Sequence, residues 1–319
     1  MIDSLIVSPK YSEWGKFLAF SLNQELITIE IDKFADTESS IKIDFAEKDF
    51  SNKKIFIVWQ FYFFLKENFC DNYINSQIFD LLISIDLIKQ KGAKEIICVL
   101  PYLPYSRQDK SACRKFVGPI DLLGKILKNI GVNNIIVLDL HEPEIKNNFA
   151  LKIIEIKTIE FWVNFLKNFK NNSDNLCIVS PDKGRVEFDK EIAKLLNIDL
   201  AHIEKTRIKN DFSVALKLNG DVKNKHAIII DDIIDTSRTA VNACDILLQN
   251  GAKSVIGCFT HAIFASESLE RIKNSKFNKI FITDTITFDP KFLEKNHKIN
   301  ILSIKNFFKE EFLKILVRK

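Results

Sequence analysis

The sequence predicts an α/β protein with mainly parallel sheets, and three observations carry that reading. Short apolar runs of strand length alternate with longer segments of helical period along the chain. The second half repeats the scheme of the first. Several predicted strands also run straight into turns crowded with charged and hydroxyl side chains, and the carboxyl edge of a parallel sheet is where ligands gather. At 319 residues the chain has room for two domains of ordinary size.

Taken in order, residues 26–31 alternate as a strand that an acidic turn at 33–38 breaks, and 54–59 form another strand. Residues 72–91 place Ile78, Leu81, Leu82, Ile85 and Ile88 on one helix face, and Gly92 ends that helix before a strand at 95–100. Residues 119–130 are a helix with proline at its start and Gly131 at its end, followed by a strand at 135–140. The long connection at 146–158 is the best candidate for a domain boundary. Beyond it come a helix at 159–169, a strand at 176–179, a helix at 184–196 and an edge-like strand at 199–203. The short apolar run 227–230 is a buried strand that stops at Asp231 and Asp232. From Thr239 the spacing turns helical, with Val241, Cys244, Leu247 and Leu248 on one face and Gly251 as the stop. A strand at 254–259, a helix at 266–272, a strand at 279–283 and a helix at 306–316 complete the chain.

Composition removes several function classes. Hydrophobic residues make up 46% and charged residues 28%, as in an ordinary globular protein. The net charge of +4 is small and the lysines are dispersed, which argues against a nucleic-acid binder. The 27 phenylalanines predict an aromatic-rich core. The cysteines at 70, 98, 113, 177, 244 and 258 form no Cys-x-x-Cys pair and stand mostly in apolar runs, so they read as buried free thiols. The first twenty residues lack the pattern of a signal peptide. The most apolar window, 55–65, is interrupted by Gln60 and falls short of the ~20 residues a membrane helix needs. A cytoplasmic protein without membrane association is expected.

The chemistry concentrates at strand ends. After the run at 227–230 come Asp231, Asp232 and Asp235, then the hydroxyls of Thr236, Ser237 and Thr239, then a helix N-terminus. Backbone N–H groups and hydroxyls there suit a phosphate, and the acids suit ribose hydroxyls or a metal; the alternative is a polar turn with an ordinary helix cap. The loop 101–110 holds two prolines and two tyrosines and presents Arg107, Gln108 and Asp109, either for a phosphate or as a surface turn. His141 follows a buried strand, as a metal ligand or as a core residue with satisfied hydrogen bonds. Asp182, in Pro-Asp-Lys-Gly-Arg before a helix, could hold Mg²⁺ while the loop's N–H groups cradle a diphosphate. Lys205 and Arg207 open a polar stretch that is either a closing loop or a solvated charge run. Residues 118–125 are no Walker A loop, because five residues separate the glycines and Ile126 stands where Ser or Thr is needed. The absence of a Gly-x-Gly-x-x-Gly fingerprint speaks against a nicotinamide enzyme.

Together these residues resemble the ribose-phosphate pyrophosphokinase family. Phe-Ala-Asp-Thr-Glu at 34–38 is similar to its Phe-Ser-Asp-Gly-Glu adenine loop, and 101–110 to its Pro-Tyr-x-x-Tyr-x-Arg-Gln-Asp segment. Asp-Leu-His-Glu at 139–142, Ser-Pro-Asp-Lys-Gly at 180–184, Lys-Thr-Arg at 205–207 and residues 231–239 follow in the family's order, as do 260–264 and 283–286. The resemblance covers almost the whole chain. It implies two phosphoribosyltransferase-like domains, 1–155 and 156–303, with the C-terminal helix 304–319 packing on the first. It implies Mg²⁺-dependent transfer of the diphosphoryl group of ATP to the C1 hydroxyl of ribose 5-phosphate, giving phosphoribosyl diphosphate and AMP.

Under that resemblance Lys205 and Arg207 are catalytic, and His141 and Asp182 hold the metal. Phe34, Asp36, Glu38, Arg107, Gln108 and Asp109 hold ATP; Asp231, Asp232, Asp235, Thr236, Ser237 and Thr239 hold ribose 5-phosphate. The implied assembly is a homo-oligomer of dimers forming a hexamer, with the Phe34 loop reaching a neighbour's adenine. The chain departs from the pattern at Thr37, Arg238 and Ala262, where glycine is usual, and at Thr206, where a basic residue is. Two alternatives stay open: a non-catalytic regulatory homologue, and a phosphoribosyltransferase that consumes the product.

Overall fold

Two seven-stranded sheets, each mainly parallel and flanked by helices, carry the chain. A computed structural model describes residues 4–43, 45, 50–63, 73–108, 118–171, 175–207, 214–265, 267–288 and 296–317, with the backbone alone at 63, 73, 108, 205–207 and 214–216. Two compact units form, one from Met1–Ile156, Thr285–Phe288 and Lys305–Lys319, the other from Lys157–Asp284 and Asp289–Ile304.

The first unit opens with strand β1 (Ser4–Pro9), helix α1 (Glu13–Leu22), β2 (Leu26–Lys33), β3 (Ser39–Ile43), β4 (Lys54–Val58) and β5 (Tyr62–Phe63). Then come α2 (Tyr73–Gln90), β6 (Glu95–Leu100), α3 (Pro119–Asn129), β7 (Asn134–Leu138), α4 (Ile145–Asn148) and β8 (Lys152–Ile156). Its main sheet has the order β3-β2-β1-β4-β6-β7-β8, parallel except for the β2–β3 hairpin. Every residue of β1 is buried, as a strand with both faces covered requires. A Cβ at Gly15 would fall 2.2 Å from Ser8 Oγ, so glycine is what lets α1 lie against β1.

The second unit follows with α5 (Ile159–Lys170), β9 (Leu176–Ser180), α6 (Val186–Leu196), β10 (Asp199–Arg207), β11 (Val214–Asn219), β12 (His226–Ile234), α7 (Arg238–Gln249), β13 (Ser254–Ala262), α8 (Ser268–Asn274) and β14 (Lys279–Thr283). Next come β15 (Thr287–Phe288), which pairs with β5 of the first unit's fold, β16 (Ile299–Leu302), and α9 (Lys305–Val317), also of the first unit. The second sheet has the order β11-β10-β9-β12-β13-β14-β16, parallel except for the β10–β11 pair. Numbered within each seven-stranded sheet, both run third-second-first-fourth-fifth-sixth-seventh, so the repeat in the sequence is a repeat of topology.

Phenylalanine supplies much of the packing. In the first unit α9 sets Phe308 at 5.0 Å from Trp14 and Phe312 at 5.1 Å from Phe56, all edge-on. In the second, Trp162, Leu166, Ile178, Ile192, Ile228 and Ile230 form the centre of the core, with Phe165 and Phe281 edge-on at 4.8 Å beside it. Cys98, Cys177, Cys244 and Cys258 are buried free thiols, and burial pushes Cys177 up to about 11 and Cys244 to about 12. Cys70 and Cys113 lie outside the described residues. No helix among the described residues is long and apolar enough to cross a membrane.

The structure corrects two sequence readings and adds unread elements to two others. β12 does not stop at the carboxylates but runs through both to Ile234, because the ladder with β13 continues to Ile234 and Ala262. β10 is not an edge strand, since β11 pairs along its outer side from His202 to Arg207. The connection 146–158 holds most of α4 and all of β8, which is itself an edge strand bonded to β7 alone. The acidic turn at 33–38 is the tip of a hairpin, whose second strand is β3.

Candidate active site

In the second sheet the strand order reverses between β9 and β12, and the crevice outside their carboxyl ends is where a doubly wound sheet offers a ligand site. β9 ends at Ser180, and neighbouring β12 carries Asp231 and Asp232 in the last part of its ladder before ending at Ile234, so both predicted loops meet at this point. Asp182 opens the first loop and accepts the Gly184 N–H at 2.9 Å, a local turn that aims the chain into α6. Lys183 is ion-paired to Glu204 on β10, a contact that holds that half-buried carboxyl below its ordinary pKa.

Arg185 is the cation of the site, and it is 8% exposed. Its guanidinium lies 3.8 Å over the Phe188 ring, and its Nε stands 4.0 Å from Asp231 Oδ1. One helical turn on, Asp189 is 0% exposed on the same stripe as Ile192, Ala193 and Leu196. Burial lifts its carboxyl to about 7; Arg185 and the Ser180 hydroxyl pull the other way, while Asp182 and Asp232 push it further up. Asp231 is also raised well above the carboxylate range, first by burial and then by Asp232, with Arg185 opposing. The Asp232 N–H donates to Asp231 Oδ1 at 2.9 Å. Arg185 thus bears on Asp189 and Asp231, while Asp182 and Asp232 raise both, so the crevice gathers four carboxyl groups, of which Asp189 and Asp231 favour holding protons.

Beyond the acids, Asp235 and Thr236 are half-buried, Ser237 is buried, and Arg238 and Thr239 are exposed at the start of α7. Ser237 takes a left-handed φ of 62° and puts no side-chain bond on the helix. The N-terminal N–H groups of α7 therefore lack a side-chain cap, the arrangement that receives an anion.

In the first unit, Phe34, Asp36 and Glu38 are exposed at the β2–β3 hairpin tip, with Phe34 58% exposed. The tip closes by Phe34 N–H to Glu38 O at 2.9 Å and Glu38 N–H to Asp36 Oδ1 at 3.1 Å. Arg107 is exposed in the 3₁₀ turn Ser106–Gln108 after β6, with Gln108 beside it in the backbone trace. Asp109 lies outside the described residues. His141 is half-buried beyond the end of β7. The backbone of Lys205 and Arg207 closes β10.

Sequence matches extend this picture. Residues 5–131 match the N-terminal domain of ribose phosphate pyrophosphokinase, and 193–318 the phosphoribosyl synthetase-associated domain. A ribose-phosphate pyrophosphokinase of Fusobacterium nucleatum is 32% identical over 93% of this chain and 89% of its own. One from Caldanaerobacter subterraneus is 32% identical over 93% and 90%. The chain belongs to the ribose-phosphate pyrophosphokinase family. The crystal structure of phosphoribosylpyrophosphate synthetase from Mycobacterium smegmatis superposes with a TM-score of 0.85 at 25% identity, covering 99% of this chain and 100% of that one. The fold is thus two phosphoribosyltransferase-like units, and the protein is an enzyme of the transferase class, a diphosphokinase of nucleotide biosynthesis.

Within this family frame the departures acquire structural meaning. Thr37 holds φ 74°, so the hairpin tip keeps the positive φ that the family's glycine serves. Arg238 becomes the first residue of α7 and leaves the loop for solvent. Ala262 is 0% exposed at the end of β13. Sequence reading gave Arg185 no role and passed over Asp189; the available signal was a carboxylate on the apolar stripe of α6, four residues after an arginine.

Proposed function

We propose that this enzyme transfers the β,γ-diphosphoryl group of ATP to the C1 hydroxyl of ribose 5-phosphate. The C1 oxygen bonds to the β-phosphorus as the bridging oxygen leaves with AMP, giving phosphoribosyl diphosphate. The observation that carries the reading is the crevice between β9 and β12: an acid pair, then hydroxyls, then a helix start with no side-chain cap. In it, Asp231 and Asp232 accept from ribose hydroxyls, with Asp235 beside them. Thr236 and Thr239 offer hydroxyls, and Ser237 its backbone N–H, to the 5-phosphate.

Phe34, Asp36, Glu38, Arg107, Gln108 and Asp109 bind ATP, the exposed Phe34 stacking on adenine. Lys205 and Arg207 stabilise charge that builds on the transferred group and the leaving oxygen, the dominant contribution when positioning and cations carry a phosphoryl transfer. No cluster of three or more protein metal ligands occurs among the described residues, and Mg²⁺ characteristically takes one or two carboxylates plus phosphate oxygens and water. Asp182, in an acid-rich crevice, fits that donor set, and His141 is the second residue assigned to the metal. Bound Mg²⁺ would neutralise phosphate charge. The enzyme acts in the cytoplasm as a homo-oligomer of dimers forming a hexamer, with the Phe34 hairpin turned to a neighbour.

The test is AMP release from ATP and Mg²⁺ by the purified protein, with and without ribose 5-phosphate and with and without added phosphate ion. Release that needs the sugar, with phosphoribosyl diphosphate formed in equal amount, is expected. No release from folded protein would overturn the reading.

A further inference from the structure

The turn at Thr236 and Ser237 is held from behind by α8. A serine at a helix N-cap ordinarily accepts a backbone N–H of the first turn. Ser237 does not: in its left-handed conformation its buried hydroxyl is hydrogen-bonded to that of Ser268, which is 0% exposed at the start of α8. One turn on, Arg271 donates Nη1 to the Thr236 carbonyl at 2.9 Å, and the Glu267 carboxylate takes its Nη2. Two adjacent residues of the loop are therefore tied to one short helix, through one side chain and one carbonyl.

We propose that Ser268 and Arg271 are positioning residues of this enzyme. They hold the turn in a strained form in which Ser237 cannot cap α7, so the helix's first N–H groups stay open for the 5-phosphate. Without Ser268, the Ser237 hydroxyl is released, the left-handed strain can relax, and the serine is free to cap α7 and occupy the seat itself. The loop's own serine then competes with the substrate. The inference rests on the reading of residues 235–239 as the ribose-5-phosphate loop.

The experiment compares the full-length wild type with Ser268→Ala, Arg271→Lys and the Ser237→Ala/Ser268→Ala double variant. It measures KM for ribose 5-phosphate, KM for ATP and kcat, with calorimetric titration of ribose 5-phosphate alongside. Loss of a hydrogen bond that fixes a binding conformation predicts about a tenfold rise in the sugar KM for Ser268→Ala and for Arg271→Lys. The ATP KM should stay within about twofold. The double variant, which lacks the competing hydroxyl, should fall between Ser268→Ala and wild type, an order that a purely structural role would not produce. An unchanged sugar KM in both single variants, equal shifts in both KM values, or a double variant weaker than Ser268→Ala would overturn the proposal. Wild-type protein that binds no ribose 5-phosphate would overturn the functional reading and this inference with it.

Discussion

Replacing Asp189 with asparagine keeps the shape of a 0%-exposed side chain and removes its charge. Burial places the carboxyl at about 7 against the usual 3.8. Between those values the folded chain keeps a proton that the unfolded chain has released, so stability falls as pH rises through the window and levels off above it. Integrated over that shift, the cost that Asp189 places on the folded state is about 2 kcal/mol at pH 5 and about 4 kcal/mol at pH 8. Asparagine never charges. The stability of Asp189→Asn relative to wild type should therefore grow by about 2–3 kcal/mol from pH 5 to pH 8, other titrations cancelling in the difference. Urea unfolding at four pH values, followed by tryptophan fluorescence, measures it, and Trp162 lies in the same core as Ile192 of α6. A difference that stays flat with pH would refute the reasoning. A variant that loses ground as pH rises would mean that Arg185 outweighs burial and keeps Asp189 ionised.

Lys205→Ala should cut turnover by orders of magnitude while the melting temperature stays unchanged; near-normal turnover would remove the role assigned to that lysine. Phe312→Ala deletes a ring that is 1% exposed and packed on Phe56 and Phe308, and should cost about 3–5 kcal/mol in urea unfolding, where a loss under about 1 kcal/mol would show that α9 does not anchor its unit. Thr37→Gly relieves a left-handed threonine and should stabilise the hairpin tip by about 1 kcal/mol, read as slower hydrogen exchange at the Glu38 amide; faster exchange would contradict it.

Most of the fold was legible because buried parallel strands write themselves as unbroken apolar runs. Residues 95–100 and 176–179 could be located to within about a residue for that reason. What escaped notice was structure whose pattern is broken by charge. β8 reads Lys-Ile-Ile-Glu-Ile and looks like a connection; its Glu155 is there because the carboxylate takes the Leu140 N–H at 2.8 Å and pairs with Lys146. β11 reads Val-Ala-Leu-Lys-Leu-Asn directly after the polar stretch 204–213, too short a run to be told from a loop, and it is fixed by its antiparallel ladder with β10.

The same cause explains the candidate site. Asp231 and Asp232 could be named from sequence but looked like the end of a strand, since two adjacent acids seldom continue a buried ladder. They continue this one because β13 pairs alongside as far as Ala262 and Arg185 supplies a buried counter-charge. That cation belongs to a different loop, forty-six residues earlier, and only the sheet's reversal between β9 and β12 brings the two together. Acids were therefore visible one by one, whereas their charge balance is a property of topology. Under the proposed function, a ligand of this crevice would meet a field already set by Arg185 and Asp189, residues that the motifs alone leave without a part.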